Sequence, residues 1–181
     1  KRSAINSIAL EAKNLAFARD GSNVGHRTVD TLLHAHPDWI MIETDLADAF
    51  QHAPRDEMLS MLFTHDEMRD FIPLFLNLYD GDAELFFGDF STLLSSEGCQ
   101  QGCPLGTLLF VLTVHAIVKR VAAAHPDVTI VGFADDYRFL GPHAEAMAAA
   151  EMYTQLVETE GHVSQRSKYW LYSLEAATLE A

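Results

Sequence analysis

The chain has 181 residues, 49% of them hydrophobic and 21% charged, with a formal net charge of −14. That length suits one domain, or a large piece of one, able to bury a core, and the mix is an ordinary globular one. There is no uninterrupted apolar run of 18 residues to make a transmembrane helix, and Cys99 and Cys103 are too few for a disulfide framework.

The opening KRSAINSIALEAKNLAF has a basic front but not the continuous apolar centre of a signal peptide, and it lacks an initiator Met. A processed chain, or one excised from something longer, is expected. Ile5, Ile8, Ala12, Leu15 and Ala16 follow helical spacing, and RDG at 19–21 stops that helix. A second helix is expected over TVDTLLHAH, ending before Pro37, with His34 and His36 on different faces. WIMIETDL, at 39–46, reads as a strand that runs into acidic residues. Pro54 suits the first turn of a helix through Leu62, and another helix is expected from Asp66 to about Leu78.

ELFFGDFSTLL reads as two strands joined through Gly88 and Asp89. PLGTLLFVLTVHAIVKRVAAA is a helix whose apolar residues wrap most of its circumference, which marks it as buried. After it, VGFADDYRFLG places Asp135 and Asp136 between two apolar strand-like runs, Val131–Phe133 and Phe139–Leu140. An Ala-rich helix over 143–160 follows, stopped by Gly161, and KYWLYSL alternates as a closing strand. The order predicts one α+β unit with helices on one face of an antiparallel sheet.

The Asp135–Asp136 pair has two readings. It is either an exposed acidic turn or a ligand pair for a cation, because adjacent like charges repel unless something offsets them. Asp45 ends its strand, so a strand terminus and a neighbouring hairpin tip can bring three carboxylates together. Two Mg²⁺ ions about 3.5–4 Å apart need such an oxygen-rich, anionic site. The two cysteines read as reduced thiols of an intracellular protein, without zinc partners at a familiar spacing. The charge argues against nucleic acid, which is usually held by a basic groove, since no Lys or Arg lies between Arg69 and Lys119.

ETDLADAF, EGCQQGCPLGTLLF, GFADDYRFLG and EGHVSQRSK, in that order, resemble successive palm motifs of reverse transcriptases, most closely the non-LTR retrotransposon and group II intron type. FARDGSNVGHRTVDTLL is similar to the family's GFRPGRST segment, so the resemblance runs from about residue 17 to 172. It implies a polymerase palm over 39–181, a partial fingers segment over 1–38 and no thumb. It also implies an RNA template, a DNA primer and dNTPs as partners, and two Mg²⁺ ions, with Mn²⁺ as a substitute.

By the same resemblance Asp45, Asp135 and Asp136 hold metal, with Asp135 the more direct bridge, and the Leu46 carbonyl adjoins them. Phe50 matches the aromatic gate beneath the sugar; by residue type alone a core aromatic is the favoured reading. Gln101 and Gly102 match the loop that supports the nascent base pair, or a simple turn before a helix. Lys168, placed after Gly161 as in the family's G-L-x-x-N-x-x-K segment, implies a role near the triphosphate or is a solvated Lys. Gln165 stands where Asn is usual and Cys103 where Asp is frequent.

Two functions follow: an active RNA-directed DNA polymerase, or a palm that has lost activity and serves a larger assembly. An RNA-dependent RNA polymerase fits less well with Phe50 and QGCPLG. The basic grip on nucleic acid is expected from fingers and thumb outside this chain or from a basic partner chain. The expected location is intracellular, nuclear for a retrotransposon protein or else organellar, with no membrane association.

Overall fold

β1 (Ile40–Thr44) is the strand on which the rest is assembled, because it is flanked on both sides. The computed structural model describes residues 2–88, 91–100 and 102–175. β1 pairs antiparallel with β5 (Asp136–Gly141) and with β6 (Trp170–Ser173), and β4 (Thr129–Phe133) adds beyond β5, giving the order β4-β5-β1-β6. The strand expected of WIMIETDL is present, and its burial alternates: Ile40, Ile42 and Thr44 are buried and Met41 and Glu43 half-buried.

The two longest helices in the main core are α5 (Gly106–Ala124) and α6 (His143–Thr159). In α6, Ala146, Ala149 and Ala150 are buried, small enough for the helix to approach the sheet closely. Its Tyr153 ring lies 5.2 Å from Tyr137 and 5.3 Å from Phe139, a contact favourable beyond area burial alone. α5 is long and apolar enough to cross a bilayer by length and composition, yet 61% of that stretch is buried inside the protein. α3 (Arg55–Thr64) and α1 (Arg2–Glu11) pack against α5. α2 (Gly21–Ala35) covers part of the opposite face, where Leu33 meets Val131 and Leu140.

Several boundaries differ from the sequence expectation. α1 stops at Glu11, because Lys13 takes a left-handed φ of 55° and Asn14 leaves the helix to bridge Gly132 of β4. α2 begins at Gly21 rather than Thr28, after Asp20, whose carboxylate accepts from the Asn23 side chain. The helix expected over 66–78 is a 3₁₀ stretch, Asp66–Phe71, followed by α4 (Ile72–Tyr79). Pro73 suits the first turn of α4, where its missing N–H costs nothing. β2 (Ala83–Phe87) and β3 (Ser91–Ser95) form the expected ribbon; Asp89 in its turn lies outside the described residues.

Candidate active site

The strand directions bring Asp45 and the Asp135–Asp136 pair together. Thr44, the last residue of β1, pairs with Tyr137, so the next residues along, Asp45 and Asp136, follow at the same end of the sheet. Thr44 donates its hydroxyl to the Tyr137 carbonyl at 3.1 Å and fixes that register. On the same strand pair Arg138 donates to Glu43 at 3.0 Å, next to Asp136. The turn of the hairpin is Ala134–Asp135, with Asp136 already pairing opposite Phe133, rather than an Asp-Asp turn. A shift of one residue matters, because it sends successive side chains to opposite faces.

Electrostatics register the convergence. Burial raises the Asp135 carboxyl above its usual range, and the charge of Asp45 adds to the rise. Asp136 is raised by burial first, then by Asp135, Glu43 and Asp45, with Arg138 opposing. Glu43, Thr44, Asp45, Asp136, Lys168 and Trp170 line a cavity of about 310 Å³. Asp136 therefore faces this cavity beside Asp45, while Asp135 does not line it.

Asp45 Oδ2 is buried without a hydrogen bond, and Lys168 Nζ stands 3.5 Å from it. Lys168 belongs to a short 3₁₀ turn, Arg166–Lys168, just before β6. That segment is tied to the end of β1 by Gln165 N–H donating to the Asp45 carbonyl and Ala47 N–H donating to the Val163 carbonyl. Leu46 forms the bridge with Ser164 between these bonds, and its side chain is buried.

Among the described residues no three carboxylate, imidazole or thiolate groups form a ready-made ion cage. The donor chemistry nonetheless fits magnesium, which takes one or two carboxylates from a protein and completes its shell with water and substrate phosphate. The orphaned Asp45 oxygen and the raised Asp136 carboxyl are such donors.

Phe50 leans on the core, its ring centroid 5.1 Å from that of Phe110, and it also lines a second cavity of about 310 Å³ with Gln51, Cys99, Gly102, Cys103 and Thr107. The ring is thus packed against the core and also borders an opening. Gly102 has a φ of +83° with open space where a Cβ would be. Gln101 lies outside the described residues. Both cysteines are free thiols, and burial pushes Cys99 up to about 12.

The matched sequence family is "Reverse transcriptase (RNA-dependent DNA polymerase)", over residues 4–168. The chain belongs to the reverse transcriptase family. No curated protein matches it. Among solved structures, apo telomerase from Candida tropicalis superposes with a TM-score of 0.65 at 12% identity, over 97% of this chain and 37% of that one. Telomerase from the same organism in complex with a fragment of telomeric RNA gives 0.64 at 11% identity, over 83% and 30%. The RNA-dependent RNA polymerase of a human picobirnavirus gives 0.50 at 15%, over 93% and 34%. These likenesses show a polymerase palm-like fold, and the chain spans about a third of the length of the proteins it matches.

Sequence reasoning missed four residues around this candidate site: Asn14, Glu43, Gly98 and Arg138. Gly98 carries the clearest constraint. Its φ is +69°, and a Cβ there would stand 1.9 Å from the Gln51 carbonyl oxygen, so only glycine lets the 98–106 loop reach the Phe50 segment. Cys99 N–H then donates to the Phe50 carbonyl at 2.6 Å. A glycine just before QGCPLG was the available signal.

Proposed function

We propose that this chain is the palm, with a piece of the fingers over 1–38, of an RNA-directed DNA polymerase that extends a DNA primer with dNTPs. The observation that carries the reading is the placement of Asp45, Asp135 and Asp136 at one end of the sheet, where burial first, and then the charge of Asp45 among others, raises the carboxyls of Asp135 and Asp136. Idle carboxylates have little reason to crowd at a cavity. The residues that would hold magnesium, or manganese in its place, are Asp45, Asp135 and Asp136 with the Leu46 carbonyl. When bound, two such ions supply Lewis-acid activation of the primer hydroxyl and neutralise the triphosphate.

The chain's own residues do the remaining work. Lys168, beside Asp45 at 3.5 Å, places an ammonium at the carboxylate cavity, where it can neutralise phosphate charge or give a proton to departing pyrophosphate. Phe50 and Gly102 border one cavity, so an aromatic ring meets the sugar where the backbone leaves room for a base pair. Positioning and electrostatics carry most of such a reaction. The work is intracellular, in the nucleus if the parent is a retrotransposon protein.

Primer extension on an RNA template, with dNTPs and Mg²⁺, tests this on a longer protein carrying this chain. Extension should be lost in the Asp135→Asn variant. Extension that persists there defeats the mechanism.

A second reading, a palm kept as an interaction subunit without activity, is favoured by the net charge of −14. Five of its twelve Lys and Arg residues are paired with carboxylates among the described residues: Lys119 with Glu11, Arg69 with Asp66, Arg138 with Glu43, Arg166 with Glu151 and Lys168 with Asp45. Acidic surface of this kind suits a basic protein partner. Tight nucleic-acid binding uses about 6–10 phosphate contacts and weakens steeply with salt. This chain alone should bind primer–template weakly near physiological salt. A longer protein that binds tightly yet never extends a primer would favour the second reading.

A further inference from the structure

Ala134 is the unexpected residue of the catalytic hairpin. It sits first in the two-residue turn between β4 and β5 with a left-handed φ of 54°. Hairpins that need a positive φ at this position normally use Gly, because a Cβ makes it costly. A strained non-Gly residue persists only where its surroundings over-determine it.

The surroundings here are one side chain. Asn14 is fully buried, and its Nδ2 donates to the Ala134 carbonyl at 2.8 Å while its Oδ1 accepts from the Ala134 N–H at 3.2 Å. Both backbone groups of the strained residue are therefore held by a single amide. Nδ2 also donates to the Tyr137 hydroxyl at 3.0 Å, and Oδ1 accepts from Ala16 N–H at 3.1 Å. All four hydrogen-bonding positions of the amide are filled.

Asn14 is itself anchored, by its N–H to the Ala9 carbonyl and by reciprocal bonds of Leu15 and Lys13 with Gly132. The Tyr137 ring crosses Gly132 where a Cβ would lie 2.6 Å from it, which brings its hydroxyl to Asn14 and, at 3.4 Å, to the Ala12 carbonyl. The two anchored residues, Ala134 and Tyr137, bracket Asp135 and Asp136.

We infer that Asn14 is a positioning residue, which holds the Ala134 turn in its left-handed form and so aims the two carboxylates that follow. The functional half of this statement rests on the polymerase reading above. Leu would fill the same space but leave the Ala134 N–H and carbonyl unpaired.

The test uses Asn14→Ala, alone and with Ala134→Gly, since glycine adopts the positive φ without a clamp. Amide exchange at residues 134–136, read on this chain without substrate, should quicken by roughly tenfold or more in the single variant while α5 amides stay protected. In primer extension by the longer protein, kcat should fall by roughly 10²-fold with the dNTP KM little changed, as expected of misplaced reacting groups. Adding Ala134→Gly should recover a substantial part of kcat, and it also relieves the strain that could unfold the single variant. Unchanged exchange at Ala134 overturns the clamp, whatever the activity. Loss of kcat without recovery in the double variant overturns positioning and assigns Asn14 to general stability. If the unmodified protein extends no primer, the polymerase reading fails, while the exchange result still decides the clamp.

Discussion

The β4–β5 turn and the β2–β3 ribbon are both short antiparallel hairpins, yet they lie at opposite ends of the range of burial. In the first, Val131, Tyr137, Phe139 and Leu140 are buried, and a buried amide ties the turn. In the second, Phe86 is 77% exposed and Leu94 64%, and Leu85 and Leu93 are exposed as well. The ribbon is held at its base by Arg55, which donates to the carbonyls of Gly81, Glu97 and Gly98 and to the Ser95 hydroxyl. A lone two-stranded ribbon is marginal in water, so its order depends on that base. The difference teaches where precision is kept: the hairpin carrying charge is over-determined, and the one carrying exposed apolar side chains is tethered at one end. Local opening free energies should differ accordingly.

The largest expected effect comes from removing the charge that β1 brings beside the first region. Asp45→Asn should cut primer extension roughly 10³-fold or more, several kcal/mol of lost charge stabilisation, with circular dichroism unchanged. The second sharpens the contrast between two loop glycines. Gly98→Ala forces a Cβ into the Gln51 backbone and should cost about 3 kcal/mol, lowering Tm by roughly 6–12 °C. Gly102→Ala, left-handed but in open space, should cost only about 1 kcal/mol. Thermal melts of the two variants decide whether close approach or φ dominates.

Third, Phe50→Val should relax discrimination against rNTPs by roughly tenfold, because only the bulk of the ring opposes a 2′-hydroxyl. An unchanged dNTP/rNTP ratio would leave Phe50 as a packing residue against Phe110.

The smallest effect concerns pH. The folded Asp136 carboxyl lies above the ordinary value of 3.8, through burial first and then Asp135 and Glu43. The folded state therefore holds its proton more tightly than the unfolded state. That contribution to stability is complete below pH 3.8 and is lost as pH rises through the raised value. Asp136→Asn should melt higher than the unmodified chain at neutral pH, and the gap should close in acid. A neutral-pH Tm that falls instead would show that Arg138 outweighs the acidic neighbours.

What the sequence by itself determined is local. The buried character of α5, the two hairpins and the closing strand follow from spacing and periodicity within short windows, and the palm motifs from a family resemblance carried by short segments. Asp45 at a strand end beside an acidic hairpin was legible for the same reason. The tertiary structure decided what no window contains. Asn14 lies inside a run that continues a helical pattern, yet it leaves the helix because its partners, Ala134 and Tyr137, are 120 and 123 residues away. The Glu43–Arg138 pair and the choice of Asp136 to face the Asp45 cavity depend on the β1–β5 register. Register is a pairing between distant segments, settled by which side chains can be buried together, so it leaves no periodic mark on either segment alone.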